Sequence, residues 1–223
     1  MKIVVIDDHV LMREMLLRIC QEVVPGASVS GAGDAQSGLA LCQVKQPKLI
    51  ILDFELPDRD GLDVLEELLA LSPHSRVIGL SGYSDEFTLH RVFHSKLHGF
   101  VDKKEQTIGQ LTVAIQSVMS GVRYFSPRVN TTLLSQRNDA VAFHKILSER
   151  EQQLLRLFGR GLSNEEIAAE LHLSELTVRN HRCRTMAKLG LRTSAELIRY
   201  ALEKGFTRVE PQDRNKIKES AKT

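Results

Sequence analysis

The chain has 223 residues, 42% hydrophobic and 26% charged, a globular composition with room for one large or two ordinary domains. No apolar run approaches the roughly 18 residues of a membrane span, and the N-terminus lacks the basic, apolar and small-residue regions of a signal peptide. The net charge of +2 hides an asymmetry: residues 1–125 carry 12 Lys+Arg against 16 Asp+Glu, whereas residues 126–223 carry 18 against 12, which predicts a cation site in the first half and an anionic partner for the second.

The first apolar run, KIVVI at residues 2–6, stops on two adjacent carboxylates, Asp7 and Asp8. Burying either without a partner costs several kcal/mol, so the pair needs open solvent or a positive neighbour. A helix is expected over 9–22, where Leu11, Met15, Leu16 and Ile19 recur at helical spacing, with His9 opening it as a surface residue. Strands SVSGA, KLIIL, RVIGL and GFVDK follow, and helices are expected over 35–45, 61–71, 85–94 and 107–119. This alternation predicts a parallel sheet with helices on both faces, and the uninterrupted apolar runs KIVVI and LIIL read as central strands. Right-handed crossovers then favour a five-stranded, flavodoxin-like sheet of order 2-1-3-4-5. Cys20, Cys42 and Cys183 are odd in number and far apart, which suits buried or idle thiols in a reducing cytoplasm.

In that strand order the ends of the first and third strands adjoin, so Asp7, Asp8 and Asp53 are expected on one rim of the sheet. Their repulsion becomes tolerable around a divalent cation, and Mg²⁺ takes oxygen ligands of this kind, with the Glu55 carbonyl as a further donor. The fourth strand ends at Ser81 and the fifth near Lys103. A carboxylate, a metal, an ammonium and a hydroxyl together suit phosphoryl transfer to the aspartate. Asp58 and Asp60 read as turn residues.

The motifs DD at 7–8, DFELPDRDG at 53–61, SG at 81–82 and FVDK at 100–103 resemble the receiver domain of bacterial two-component response regulators over about residues 1–120. The resemblance implies that Asp53 accepts a phosphoryl group from a sensor histidine kinase. It implies that Asp7 and Asp8 help hold Mg²⁺ and that Lys103 contacts the phosphoryl. Ser81 and Phe100 would form a switch pair, with Ser81 moving to the phosphoryl and Phe100 turning inward. Pro57 and Gly61 match the family's loop after the phosphoacceptor. Lys104 stands where many receivers carry proline, which leaves the 103–104 peptide open between cis and trans.

After Gly121 the pattern weakens, and 121–145 reads as a linker with a short helix near 127–136. Three helix starts follow: capping boxes at Ser148/Glu151 and Ser163/Glu166, and a cap at Ser174. Residues 146–206 therefore read as a separate all-α helix-turn-helix domain. Its last helix is expected over 194–204, and a polar, disordered tail over 207–223. In the helix-turn-helix, Ile167, Ala168, Leu173, Val178, Met186 and Leu189 can face inward. Arg179, Arg182, Arg184 and Lys188 make the second helix basic, as suits the major groove of double-stranded DNA.

The stretch 145–206 resembles the LuxR-type DNA-binding domain of the NarL/FixJ class. That likeness places Arg179, Asn180 and Cys183 near bases, although Cys183 departs from the usual polar or basic residue. It assigns Thr177, His181 and Lys188 to backbone-contacting or packing positions, and it assigns Leu197, Ile198 and Ala201 to a homodimer contact on promoter DNA. The whole chain is thus expected to be a DNA-binding regulator without enzymatic turnover. A Mg²⁺-dependent phosphatase or NTPase is the alternative, weakened by the lack of a GxxxxGK[ST] loop.

Overall fold

The computed structural model describes residues 1–104, 107–138 and 142–208. The chain divides into two compact units, one of residues 1–84 and 89–133, the other of residues from 134 onward together with 85–88. In the first part β1 (Lys2–Ile6), α1 (Val10–Val23), β2 (Ser28–Ala32), α2 (Ala35–Lys45), β3 (Leu49–Asp53), α3 (Gly61–Leu71), β4 (Arg76–Ser81), α4 (Glu86–His94), β5 (Gly99–Asp102) and α5 (Ile108–Ser120) alternate. Successive side chains of a strand point to opposite faces, and here each face has its own core. Ile3, Val5, Leu49, Ile51, Ile78 and Leu80 pack against Leu16, Ile19 and Cys20 of α1 and Leu111, Ile115 and Val118 of α5. Val4, Ile6, Ile50, Leu52 and Val77 pack against Cys42 of α2, Leu65 and Leu68 of α3, and Leu89 and Val92 of α4. This two-sided cover explains why every residue of β3 is buried.

Every strand pairing is parallel, and the order is β2-β1-β3-β4-β5-β6. The sheet is thus the expected one with a sixth strand added. β6 (Tyr124–Phe125) pairs with Gly99 and Phe100 inside the segment read as linker. A two-residue strand shows no alternation, so no pattern in the sequence announces it. The short helix expected at 127–136 is α6 (Pro127–Asn138), whose Val129 is wholly buried.

The second unit contains α7 (Phe143–Ile146), α8 (Glu149–Gly159), α9 (Asn164–Leu171), α10 (Glu175–Leu189) and α11 (Ser194–Glu203). Both expected capping boxes form, with Ser148 and Glu151 on α8 and Ser163 and Glu166 on α9 satisfying each other's backbone N–H groups. Ser174 caps α10 by accepting from the Thr177 amide, and Thr193 caps α11. The core gathers Leu154, Leu155, Phe158, Ile167, Ala168, Val178, Leu197 and Ala201, with Leu173, Met186 and Leu189 packed at its edge. Gly159 marks where α8 meets α11, since a Cβ there would lie 2.7 Å from that of Ala201. Beyond Arg208 the polar tail lies outside the described residues. No helix among those residues is long and apolar enough to cross a membrane.

Candidate functional site

Register builds the first site. β1 and β3 pair Ile6 with Leu52, so the next residues, Asp7 and Asp53, sit side by side at the carboxyl edge of the sheet. β4 and β5 pair Ser81 with Asp102, and the Lys103 amide donates to the Ser81 carbonyl at 2.8 Å. Four strand ends therefore converge, as the sequence predicts. Lys103 Nζ lies 2.6 Å from Asp53 Oδ2 and 3.1 Å from Asp7 Oδ2, and both aspartates are fully buried. Asp53 Oδ1 accepts from the Glu55 amide at 3.1 Å, and Asp7 Oδ1 from the His9 amide at 2.9 Å. Gly61 is needed by the loop after Asp53, because a Cβ there would fall 2.1 Å from the Asp53 carbonyl oxygen.

Burial pushes the Asp53 carboxyl above its usual range; the Lys103 ammonium pulls it down without offsetting this, and the Asp7 charge adds to the rise. Burial alone would lower the Lys103 ammonium, but the Asp53 carboxylate, seconded by Asp7, holds it above its ordinary value. The Lys103 ammonium faces the carboxylates of Asp7 and Asp53, and the Asp8 carboxylate beside them meets the His9 ring. Asp7 Oδ2, Asp8 Oδ1 and Asp53 Oδ2 are buried and accept no aligned hydrogen bond. An excess of negative charge on hard carboxylate oxygens fits a divalent cation such as Mg²⁺.

Asp7, Asp8, His9 and Asp53 bring ligand atoms within 4.8 Å of one another. His9 is the member that the sequence reading left on the surface. Its ring is largely exposed, with Nδ1 2.8 Å from Asp8 Oδ1. Lone histidines carry no spacing signal, so only the fold could place it here. Asp58 and Asp60 prove to be more than turn residues. Asp58 accepts from the Ala35 and Gln36 amides at the start of α2. Asp60 caps α3 through the Leu62 amide and holds Arg91 of α4 at 2.8 Å.

Ser81 is buried and donates to the Glu55 carboxylate at 2.7 Å. Phe100 is wholly buried, its ring 5.6 Å from that of Phe54. In this structure the Phe100 ring lies inward, as part of the core. No described peptide bond is cis, so the 103–104 bond is trans.

On α10, Arg179, Asn180, Cys183 and Arg184 are exposed. Thr177 is half-buried and shares a hydrogen bond with Ser174. Arg182 corrects the expectation that it reaches DNA. Its Nη2 donates to the Leu162 carbonyl at 2.9 Å, its guanidinium lies 4.4 Å from the centre of the Phe158 ring, and burial lowers its pKa. Lys188 takes the packing role, one of the two expected of it, paired at 2.7 Å with the buried Glu151 carboxylate. Leu197 and Ala201 are a second correction: both are completely buried against α8 inside their own domain, so they offer nothing to a second copy. Ile198 is half-buried. Residue type and helical spacing cannot say which face of a basic or amphipathic helix packs inward once several helices share one core.

The response regulator receiver domain family matches residues 3–116, and the luxR family of bacterial regulatory proteins matches residues 145–201. The Fimbriae Z protein of Salmonella typhimurium is 30% identical over 205 residues, spanning 89% of this chain and 95% of that protein. The transcriptional regulatory protein MctR of Rhizobium johnstonii is 33% identical over 207 residues, spanning 92% and 94%. RcsB from Salmonella enterica serovar Typhimurium, solved bound to a promoter with the phosphomimetic BeF₃⁻, shares the fold at a TM-score of 0.61 and 23% identity over 91% of this chain and 98% of that one. With two family patterns matched in order and relatives aligned over both, the chain belongs to the NarL/FixJ-type response regulators of two-component systems, transcription regulators that join a receiver domain to a LuxR-type DNA-binding domain.

Proposed function

We propose that Asp53 accepts a phosphoryl group from a sensor histidine kinase and that this transfer shifts dimerisation and promoter binding. The observation that carries the reading is the buried ion pairing of Lys103 with both Asp53 and Asp7, one ammonium against adjoining carboxylates at the carboxyl edge of the sheet. An Asp53 carboxylate oxygen attacks phosphorus, the O–P bond forms as the N–P bond of the donor imidazole breaks, and that nitrogen leaves with the electron pair. Lys103 stands beside the acceptor oxygen to offset charge on the transferring group. Asp7, Asp8, Asp53 and the Glu55 carbonyl are the groups that would hold Mg²⁺, which when bound neutralises charge on the phosphoryl oxygens.

The added charge, about −1.5 to −2, shifts a two-state equilibrium. Two copies then present α10 to half-sites roughly 34 Å apart. Arg179, Asn180 and Arg184, with Cys183 and Thr177 beside them, form the DNA-facing set; Arg182 and Lys188 serve the fold. For the dimer contact, Ile198 and the exposed face of α11 remain. Acetyl phosphate with Mg²⁺ is expected to label the wild-type protein stoichiometrically and the Asp53→Asn variant not at all. Undiminished labelling of that variant would move the acceptor elsewhere.

A further inference from the structure

We propose that the Glu55 side chain occupies the donors that the phosphoryl group must use, so that activation requires Glu55 to be displaced. The inference rests on the reading of Asp53 as phosphoacceptor. A serine hydroxyl has one proton to donate. That of Ser81 goes to Glu55 Oε1 at 2.7 Å, while the Ser81 oxygen accepts from the Tyr83 amide at 3.0 Å. The Gly82 amide also donates to Glu55 Oε1, at 2.8 Å. One carboxylate oxygen thus holds two donors at the end of β4, the strand beside Asp53. The approach is close: a Cβ on Gly82 would stand 3.3 Å from Glu55 Oε2.

Both donors would suit an anion, and Glu55 already supplies one. In this arrangement Ser81 has no proton left for a phosphoryl oxygen. A phosphoryl group on Asp53 must therefore compete with Glu55 for the hydroxyl and the amide. It also carries like charge, so its arrival repels the carboxylate it replaces. Glu55 is a positioning residue: it stabilises the resting place of Ser81 and sets how far phosphorylation shifts the receiver. Its role as a metal donor uses the backbone carbonyl, so side-chain substitution separates the two functions.

The test uses the full chain with beryllofluoride and Mg²⁺ as the phosphoryl analogue. Affinity is read by calorimetry and the Ser81 and Gly82 amides by NMR. Glu55→Ala is expected to bind roughly tenfold tighter than wild type, the scale of one lost charge-assisted hydrogen bond. Glu55→Gln, which keeps an acceptor but loses the charge, should fall between. In analogue-free Glu55→Ala the two amides should move toward their positions in the bound wild type, and the gain should shrink in a Ser81→Ala background. Equal or weaker binding by a folded Glu55→Ala variant overturns the latch and leaves the phosphoacceptor reading standing. Failure of the wild type to bind beryllofluoride with Mg²⁺ overturns both.

Discussion

At the scale of single residues, the chain places charge where burial makes it costly and then balances it locally. Asp7 and Asp53 are tolerated because Lys103 sits between them, and the excess negative charge is what a cation would use. His98 shows the same principle away from the site. Its Nδ1 accepts the Val77 amide at 3.1 Å, and burial, aided by the charges of Arg76 and Arg123, lowers its pKa below 6.5. The unfolded chain therefore binds the proton more readily than the folded one, so stability is lost as pH falls through the ordinary histidine value. The urea midpoint of the wild type should drop between pH 7.5 and 5.5. His98→Asn, which keeps an acceptor near the Nδ1 position, should drop less; an identical pH dependence would remove His98 from the account. The pair Asp7–Asp8 and Asp53 were legible in sequence because carboxylates that end apolar strands are conspicuous. The Glu55 side chain was not, because a glutamate in a polar loop looks like any solvated charge.

At the scale of elements, α10 divides its basic residues between two tasks. Arg182 and Lys188 hold α10 to Leu162, Phe158 and Glu151, while Arg179 and Arg184 face outward. Burial alone would raise the Glu151 carboxyl, but Lys188 and the Ser148 cap bring it below its usual range. Lys188→Ala should therefore destabilise the helical domain by about 1–2 kcal/mol, as a largely buried carboxylate loses its partner. In thermal unfolding this appears as a lower Tm, and discrimination between promoter and random DNA should persist below it. Arg179→Ala should do the reverse, leaving stability within about 0.5 kcal/mol and removing roughly 1–3 kcal/mol of sequence discrimination. Loss of discrimination in the first variant or of stability in the second would reverse these assignments. The sequence marked α10 as basic and capped at Ser174. Which of its four cations point outward depends on the packing of α8 and α9, which helical spacing does not encode.

At the scale of the whole molecule, an acidic receiver unit precedes a basic helical unit, and the family joins them into one signalling device. If phosphorylation pairs two copies on DNA, both recognition helices contact phosphates together. The salt dependence of binding should then steepen, because each neutralised phosphate releases counterions. Titrating promoter DNA at two salt concentrations, with and without acetyl phosphate and Mg²⁺, should show a slope close to double in the treated protein. EDTA added before the phosphodonor should return it to the untreated value. An unchanged slope would mean that phosphorylation does not bring a second domain to the DNA.

Local pattern determined the alternation of strands and helices, the sheet order, the capping of α8, α9 and α10, and the gathering of Asp7, Asp53, Ser81 and Lys103 on one rim. These follow from period-two and period-3.6 hydrophobicity and from rules of connection that need only the order of elements. Tertiary structure alone decided the added strand β6, the inward setting of Phe100, the domestic duties of Arg182, Lys188, Leu197 and Ala201, and the hold of Glu55 on Ser81. Each depends on which groups from distant parts of the chain come within hydrogen-bonding or packing distance, and the spacing of residues within one segment carries no record of that.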